Sequence, residues 1–343
     1  MPADPPLRVG LVGAGWAGQE HCASLAGIDD ARLVAVVDPD ASAAEALAAR
    51  HDASVLPSVE AMLGDDLVDA LVVATPSGVH RESVVPALDR GLAVFAEKPL
   101  ARTVEDAVAI AAAAGRAGTV CAVGYQWRAA EAATDLAGRL EDQRIAMLLS
   151  QGVGITQARP WGGDSRLSGG LVYERASHHI DLQRMVAGDV RAVRATRGDV
   201  PLAGAGNGSG TEDVIAVELR FDSGAIGTVL LGWVGEDYPP VQSLRVVATD
   251  TVYDLALDPD FVLHDRRLGP PGPRTGEPPF VAQMRRFVRA ALAGDPGAVA
   301  CDAAAAAGTV VVAAAVERAL SDGSLVEVPR ITEAPTTEDG GPR

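Results

Sequence analysis

The chain is nearly without lysine. Of its 29 basic residues one is Lys98 and the other 28 are Arg. A guanidinium stays protonated in proteins, whereas an ammonium can shift its pKa and give up its proton. A position that keeps Lys where every other cation is Arg is one where Arg would not serve, so Lys98 is the first catalytic candidate before any motif is consulted. Cysteine is also scarce: Cys22, Cys121 and Cys301 are widely spaced and odd in number. They form neither a disulfide framework nor a metal-ligand cluster, so no metal is expected and a reducing, cytoplasmic setting is. Aromatics make up only 4%, which leaves a core of Ala, Val and Leu. With 46 acidic residues against those 29, the net charge of −17 repels phosphate backbones and anionic bilayers, so neither nucleic acid nor a membrane is an expected partner. The first residues, Met1 to Pro6, lack the basic segment and apolar core of a leader. The longest apolar stretch, Ala303 to Val316, contains Gly308 and Thr309, lies between Asp302 and Glu317, and reads as a helix inside a fold.

What is present is an ordinary globular composition, 48% hydrophobic and 22% charged over 343 residues. At about 150 residues per domain the length suggests two domains. From Leu7 to about Gln126, continuously apolar runs (Arg8 to Val12, Leu33 to Val37, Ala70 to Ala74, Ala93 to Ala96, Val120 to Val123, and a weaker one near Val55) alternate with Ala-rich helical stretches. Such runs predict a parallel sheet covered on both faces. After Trp127 the rhythm changes. A helix over Ala130 to Leu140 leads to a strand over Ile145 to Thr156 and a helix over Leu171 to Ala187. Alternating strands over Val214 to Phe221 and Ala225 to Trp233 follow, joined by the hairpin signal Asp222-Ser223-Gly224. Strands over Leu244 to Ala248 and Thr251 to Leu255, and helices near Phe280 to Leu292 and Asp302 to Leu320, complete the pattern. The expected division is residues 1–126 and 127–343, the second part an α/β domain with a mostly antiparallel sheet and a frayed tail after 330.

Three constellations carry chemistry. The first strand runs into Gly13-Ala14-Gly15-Trp16-Ala17-Gly18 and then a helix. The first Gly permits the tight turn, the second lets the backbone approach a pyrophosphate, and the third lets helix and strand pack closely. The next strand ends at Asp38, 20 residues after Gly18, where an acid grips ribose hydroxyls and repels a 2′-phosphate, so NAD is expected rather than NADP. The second constellation lies at later strand ends, Thr75-Pro76-x-x-x-His80 and Glu97-Lys98-Pro99, which in a doubly wound sheet point toward the cofactor crevice. The third is the helix carrying Glu174, His178, His179 and Asp181. Residues three and four apart share a helix face, so Glu174 is expected beside His178, fixing its tautomer for general-base work. Helical geometry leaves His179 as an alternative base, although Arg175 rather than an acid precedes it by four.

Taken together, these segments resemble the Gfo/Idh/MocA oxidoreductases from about Leu7 to Pro329. The resemblance implies an N-terminal Rossmann domain, a C-terminal α/β domain whose open sheet mediates homo-oligomer contacts in a dimer or tetramer, a bound nicotinamide cofactor, and sugar or polyol substrates. By position it makes Lys98 the catalytic lysine and His178, with Glu174, the proton-exchanging group. Gly13, Gly15, Trp16, Gly18, Asp38, Thr75, Pro76, His80, Glu97 and Gln126 become cofactor-binding. Tyr125, Arg128, Trp161, Asp181 and His179 fall where substrate contacts are expected, and Arg128, Arg159 and Arg166 are candidates for an anionic substituent. Glu174 stands where many members have Asp, and Ala176 where many have Gly.

The implied function is hydride transfer between a secondary alcohol of a sugar, sugar derivative or cyclitol and nicotinamide. Two alternatives stand beside it: an NAD-dependent glycosidase or lyase working through transient oxidation in the same pocket, and a non-catalytic dinucleotide sensor, which would need neither Lys98 nor His178.

Overall fold

The computed structural model describes residues 5–64, 66–155, 169–198, 214–234, 241–267 and 276–331. The first half builds a six-stranded sheet from β1 (Leu7–Val12), β2 (Ala31–Val37), β3 (Ser54–Val55), β4 (Ala70–Val73), β5 (Ala93–Ala96) and β6 (Cys121–Val123). The spatial order is β3-β2-β1-β4-β5-β6 and every neighbouring pair is parallel. All residues of β4 and β5 are buried, as continuously apolar strands between two helical layers must be. The layers are α1 (Trp16–Ala26), α2 (Ala41–Arg50), α3 (Val59–Met62), α4 (His80–Asp89) and α5 (Val104–Ala117). Three of them start at side-chain caps: Asp40 accepts from the Ser42 and Ala43 amides, Ser58 from Ala61, and Thr103 from Asp106.

The second half begins with α6 (Glu131–Leu140) and continues with β7 (Ile145–Ile155), α7 (Ser177–Ala187), β8 (Val190–Arg197), β9 (Val214–Phe221), β10 (Ile226–Val234), β11 (Val241–Ala248), β12 (Val252–Ala256) and β13 (Val262–Asp265). It closes with α8 (Pro279–Ala293), α9 (Ala303–Asp322) and β14 (Val326–Glu327). These strands form one eight-stranded sheet, β13-β12-β11-β7-β10-β9-β8-β14. Among the described pairs β7 and β10 run parallel and the rest antiparallel. Burial alternates along β9 and β11, so one face is a core face. The other exposes Met147, Leu149, Ile226, Leu230 and Val241.

The strand expectation near Val55 and the helix over Asp302 to Leu320 both appear. The expected strand to Thr156 is described as far as Ile155, and the tail after 331 lies outside the described residues. The chain also returns to its beginning. Phe287 of α8 packs edge-on against Phe95 of β5, and Met284, Phe287 and Val288 join the core of the first sheet. α9 is long and apolar enough to span a membrane by composition, but 61% of its apolar window is buried in the fold.

α7 is docked to the second sheet by polar as well as apolar contacts. His179 bonds the Gln242 Oε1 at 2.8 Å, and Gln183 donates to Ser150 Oγ at 2.9 Å and to the Thr228 carbonyl at 3.0 Å. The glutamine heads fit because β7 and β10 carry glycine opposite them: a Cβ on Gly152 would strike Gln242, and one on Gly227 would strike Gln183. On its other side α7 is tied to the turn after β6. Arg128 there makes a two-pronged ion pair with Asp181, Nε to Oδ2 2.6 Å and Nη2 to Oδ1 2.8 Å, while Thr309 of α9 donates to the same carboxylate at 3.0 Å.

The Asp181 side chain is only 2% exposed, so removing its cation strands a charge in the core. Arg128→Met is expected to lower unfolding free energy by about 3 kcal/mol or more in a urea titration, and Arg128→Met with Asp181→Leu to recover much of it. An Arg128→Met single variant as stable as the parent would show that the pair does not brace this junction.

Candidate active site

The cofactor cradle is assembled where the carboxyl ends of β1, β2 and β4 meet. Gly13 takes φ +101°, in the left-handed region, and a Cβ on it would come within 2.7 Å of the Ala74 carbonyl group. A Cβ on Gly18 would collide with the Gly13 carbonyl oxygen, so α1 can press onto the turn only through glycine. Gly15, by contrast, faces open space, with nothing within 4 Å of where its Cβ would be. One glycine is needed for its φ, one for packing, and one leaves room for a ligand. Asp38 at the end of β2 accepts from the Ala14 amide at 2.6 Å and the Asp40 amide at 2.8 Å, holding a carboxylate beside the turn. At the end of β4 the Thr75 hydroxyl is buried without a protein partner. A dinucleotide fits this cradle: open backbone at Gly15, a helix N-terminus behind it, an unspent hydroxyl at Thr75 and an acid at the ribose position. Trp16 stands exposed at the start of α1, edge-on to Phe280 at 5.8 Å. Gln126, half-buried, opens the turn after β6.

Two residues expected to meet the cofactor turn inward instead. His80 is fully buried, with Nδ1 3.0 Å from the Leu100 carbonyl and Nε2 2.9 Å from the Thr75 carbonyl. Both nitrogens face main-chain carbonyls, of which a neutral ring donates to one, so the ring packs between the loops that follow β4 and β5 and turns neither nitrogen to a ligand. Burial lowers its pKa below the ordinary imidazole value. Glu97 lies across His21 of α1, Oε1 to Nε2 2.7 Å, and its Oε2 accepts from the Lys98 amide at 3.0 Å. Although burial pushes the Glu97 carboxyl upward, His21 and then Lys98 outweigh it and hold the group below its usual range.

Lys98 follows at the end of β5 and extends toward the other half of the chain. Its Nζ donates to the Glu174 carbonyl at 3.2 Å and to Glu174 Oε2 at 3.4 Å. Glu174 was expected to support His178; the structure gives it to Lys98. The reason is a π turn over Val172–Ala176, which precedes α7. An i→i+5 turn carries more residues than an α turn, so the four-residue spacing no longer stacks Glu174 on His178. No carboxylate among the described residues bonds the His178 ring.

His178 is held by aromatic neighbours. Its centroid lies 4.9 Å from Trp127, with the rings tilted 33°, and 5.8 Å from Tyr125, edge-on. The ring is 5% exposed and Nδ1 is buried without a partner, which leaves Nε2 for exchange with the cleft. Burial first, then the charges of Lys98, Arg175 and His179, drive its pKa well below the imidazole value of 6.5. His178 is therefore neutral at pH 7 and lies within the electrostatic reach of the Lys98 ammonium.

The expected substrate contacts divide. His179 is fully buried on Gln242, with its pKa brought down to about 4 by burial, so it serves the sheet rather than the cleft. Arg128 and Asp181 are spent on each other. Tyr125 is buried beneath His178, its hydroxyl driven well above the ordinary phenol value by burial and then by Asp181. Arg159, Trp161 and Arg166 lie outside the described residues. Nothing in the spacing singles out Trp127 or Arg175, whose roles depend on the π turn and on the approach of the two sheets. No group of three or more His, Cys, Asp or Glu side chains among the described residues is placed to hold a metal.

Known proteins resemble the chain over most of its length. Residues 7–125 match the model described as oxidoreductase family, NAD-binding Rossmann fold, and residues 106–253 the Gfo/Idh/MocA C-terminal domain. The rhizopine catabolism protein MocA of Rhizobium meliloti is 30% identical over 88% of this chain and 92% of its own. The scyllo-inositol 2-dehydrogenase (NAD+) of Bacillus subtilis is 27% identical over 65% of this chain and 66% of its own. Among solved structures, GenD2 from gentamicin A biosynthesis, in complex with NAD, is 25% identical, superposes with a TM-score of 0.79, and covers 95% of this chain and 97% of its own. With a glycine cradle that fits a dinucleotide, a lone lysine at the end of β5 and matches to both the N-terminal and the C-terminal domain models of the family, the chain is an NAD-binding member of the Gfo/Idh/MocA oxidoreductase family.

Proposed function

We propose that the protein interconverts a secondary alcohol and a ketone on a sugar, sugar derivative or cyclitol, with NAD as hydride acceptor or donor. The observation that carries this reading is the placement of Lys98 Nζ on Glu174, beside a neutral His178, at the strand end that faces the dinucleotide crevice. When bound, the nicotinamide supplies the hydride chemistry. The chain's own groups handle the oxygen. In oxidation, the alcohol O–H proton passes to His178 Nε2 as the carbon-bound hydrogen leaves with its electron pair, and a C=O forms. Lys98 donates a hydrogen bond to the same oxygen and favours the negative charge that develops on it. Glu174 orients the ammonium through its main-chain carbonyl and its carboxylate. The inositol dehydrogenase among the relatives supports a polyhydroxylated substrate. A glycosidase or lyase would pass through the same ketone, but net NADH accumulation with an intact sugar separates the dehydrogenase from it.

We also propose self-association through the outer face of the second sheet. Its apolar side chains, Met147, Leu149, Ile226, Leu230 and Val241, sit on the adjacent strands β7, β10 and β11. Apolar side chains exposed together on neighbouring strands are the kind of surface a protein partner covers.

Three outcomes are expected. Lys98→Met lowers kcat by about two to four orders of magnitude, measured as NADH formation over a polyol panel, while the NADH dissociation constant read by fluorescence stays within about twofold; normal turnover would remove the lysine from the chemistry. The acid limb of kcat/KM for oxidation lies well below pH 6.5, because His178 stays neutral until its depressed folded pKa is reached; half-loss near pH 6.5 would contradict the buried neutral base. Leu230→Glu shifts the mass measured by light scattering toward the monomer, and an unchanged mass would place the contact elsewhere.

A further inference from the structure

Lys98 is fastened at both ends. Its Nζ rests on the carbonyl and the carboxylate of Glu174, and its main-chain N–H, at the root of the side chain, donates to Glu97 Oε2 at 3.0 Å. Between the two fastenings lies a flexible stem that left to itself would sample many rotamers. Held at root and tip, it behaves as a strap, and a shift of either anchor moves the ammonium.

The anchor at the root is itself held. Glu97 Oε1 lies 2.7 Å from His21 Nε2, and both residues are buried. An ionised carboxylate only accepts, so Nε2 carries the proton of this contact. The imidazole meets Phe95 edge-on at 4.9 Å and Phe280 at 5.4 Å, and its Nδ1 is buried without a hydrogen-bond partner, so the polar contact of the ring is made at Nε2. On its other side the carboxylate packs against the main chain that follows β6: a Cβ on Gly124 would come within 3.0 Å of Oε1, 3.1 Å of Cδ and 3.3 Å of Oε2. Glu97 has no room to turn, and its two oxygens face α1 and the Lys98 amide. Burying a carboxylate and an imidazole together is costly unless their bonds are well made, yet no step of the hydride transfer uses either group. What the pair does offer is direction. His21 belongs to the helix that starts at the glycine turn, so two hydrogen bonds lead from the dinucleotide cradle to the root of the lysine.

We propose that Glu97 and His21 are positioning residues for the reaction: the buried pair sets the main chain of Lys98 against α1, aligning the ammonium with the helix that receives the dinucleotide. They act through Lys98 and not on the reacting atoms. The effect on turnover rests on the dehydrogenase reading, whereas the placement of the lysine is read without any turnover.

The test uses His21→Leu, which fills the aromatic pocket and removes the donor, and His21→Gln, whose amide N–H stands as many bonds from the main chain as Nε2. In NADH formation over a polyol panel, His21→Leu is expected to lower kcat by about 10- to 100-fold, the scale on which a displaced catalytic group acts. The NADH dissociation constant stays within about twofold, and His21→Gln recovers most of kcat. The acid limb of kcat/KM is a further readout. The charged and titratable groups facing Glu97 are His21 from α1, Lys98 beside it and His80 from α4, the last with its pKa lowered by burial. Burial pushes the Glu97 carboxyl up and His21 outweighs it, so without His21 the carboxylate is lost at a higher pH as acid is added, and the limb moves up in His21→Leu. Glu97→Gln bonds the Lys98 amide through a neutral oxygen and is expected to lower kcat in the same direction by less, which keeps the test alive if His21→Leu does not fold. Placement is read by an amine-selective reagent. Lys98 is the only lysine, so peptide mass spectrometry separates its labelling from that of the N-terminal amine. Lys98 is expected to label several-fold faster in His21→Leu than in the parent and at the parental rate in His21→Gln. A parent that labels in this pattern and forms NADH from no polyol would overturn the dehydrogenase reading and leave the positioning pair standing. Unchanged Lys98 labelling, kcat and acid limb in His21→Leu, or equal losses of kcat and NADH affinity that His21→Gln does not restore, would overturn the positioning role and leave the dehydrogenase intact.

Discussion

The site depends on one hydrogen bond between separate sheets: Lys98 Nζ, at the end of a strand of the first, donates to the main-chain carbonyl of Glu174, which precedes a helix packed on the second. A main-chain acceptor is not free to rotate away as a carboxylate is, so the ammonium is placed by the backbone and then trimmed by the Glu174 side chain. Both partners lie at element ends, where a few degrees of strand twist or helix tilt move a terminal atom furthest. The bracing around them follows from that sensitivity. Glu97 ties the Lys98 amide to α1 through His21, Arg128 and Thr309 hold Asp181 from two directions, and Gln183 and His179 anchor the inner face of α7 to the sheet.

Burial supplies the other half of the chemistry. The imidazole of His178 is enclosed by Trp127 and Tyr125, and no described carboxylate bonds it. A carboxylate partner would raise its affinity for a proton; an apolar enclosure with a cation nearby lowers it. The protein thus obtains a neutral base by desolvation, and it keeps its buried acid, Glu97, ionised by giving that group hydrogen bonds and opposite charge. One buried titratable group is thus kept neutral and another ionised by what surrounds each.

Much of this was legible in the sequence because strands buried on both faces leave continuous apolar runs, and glycine spacing before a helix has few other causes. The parallel sheet, the Gly13 to Gly18 turn, Asp38 and the singular Lys98 all belong to that class. β8 left no such mark: its Arg191, Arg194 and Arg197 interrupt the pattern, and only pairing with β9 and β14 makes it a strand. The partner of Glu174 was hidden for a different reason. A sequence reads helical faces at one fixed pitch, and the π turn changes the pitch over Val172–Ala176. The inward roles of His80 and Glu97 were hidden too, since a strand-end position states which end of the sheet a side chain occupies and not whether it points into the crevice or back into the protein.

The return of α8 to the first sheet sets a limit on how such a protein can be recombined. Met284, Phe287 and Val288 complete the core beneath β1 and β5, and Phe280 closes over both Trp16 and His21 beside the glycine turn. A nucleotide-binding half cut at 126 would carry a bare hydrophobic flank where α8 belongs. Grafting that half onto a foreign partner would transplant the glycine turn without the helix that buttresses it, so the exchangeable unit is the whole chain and not the leading segment.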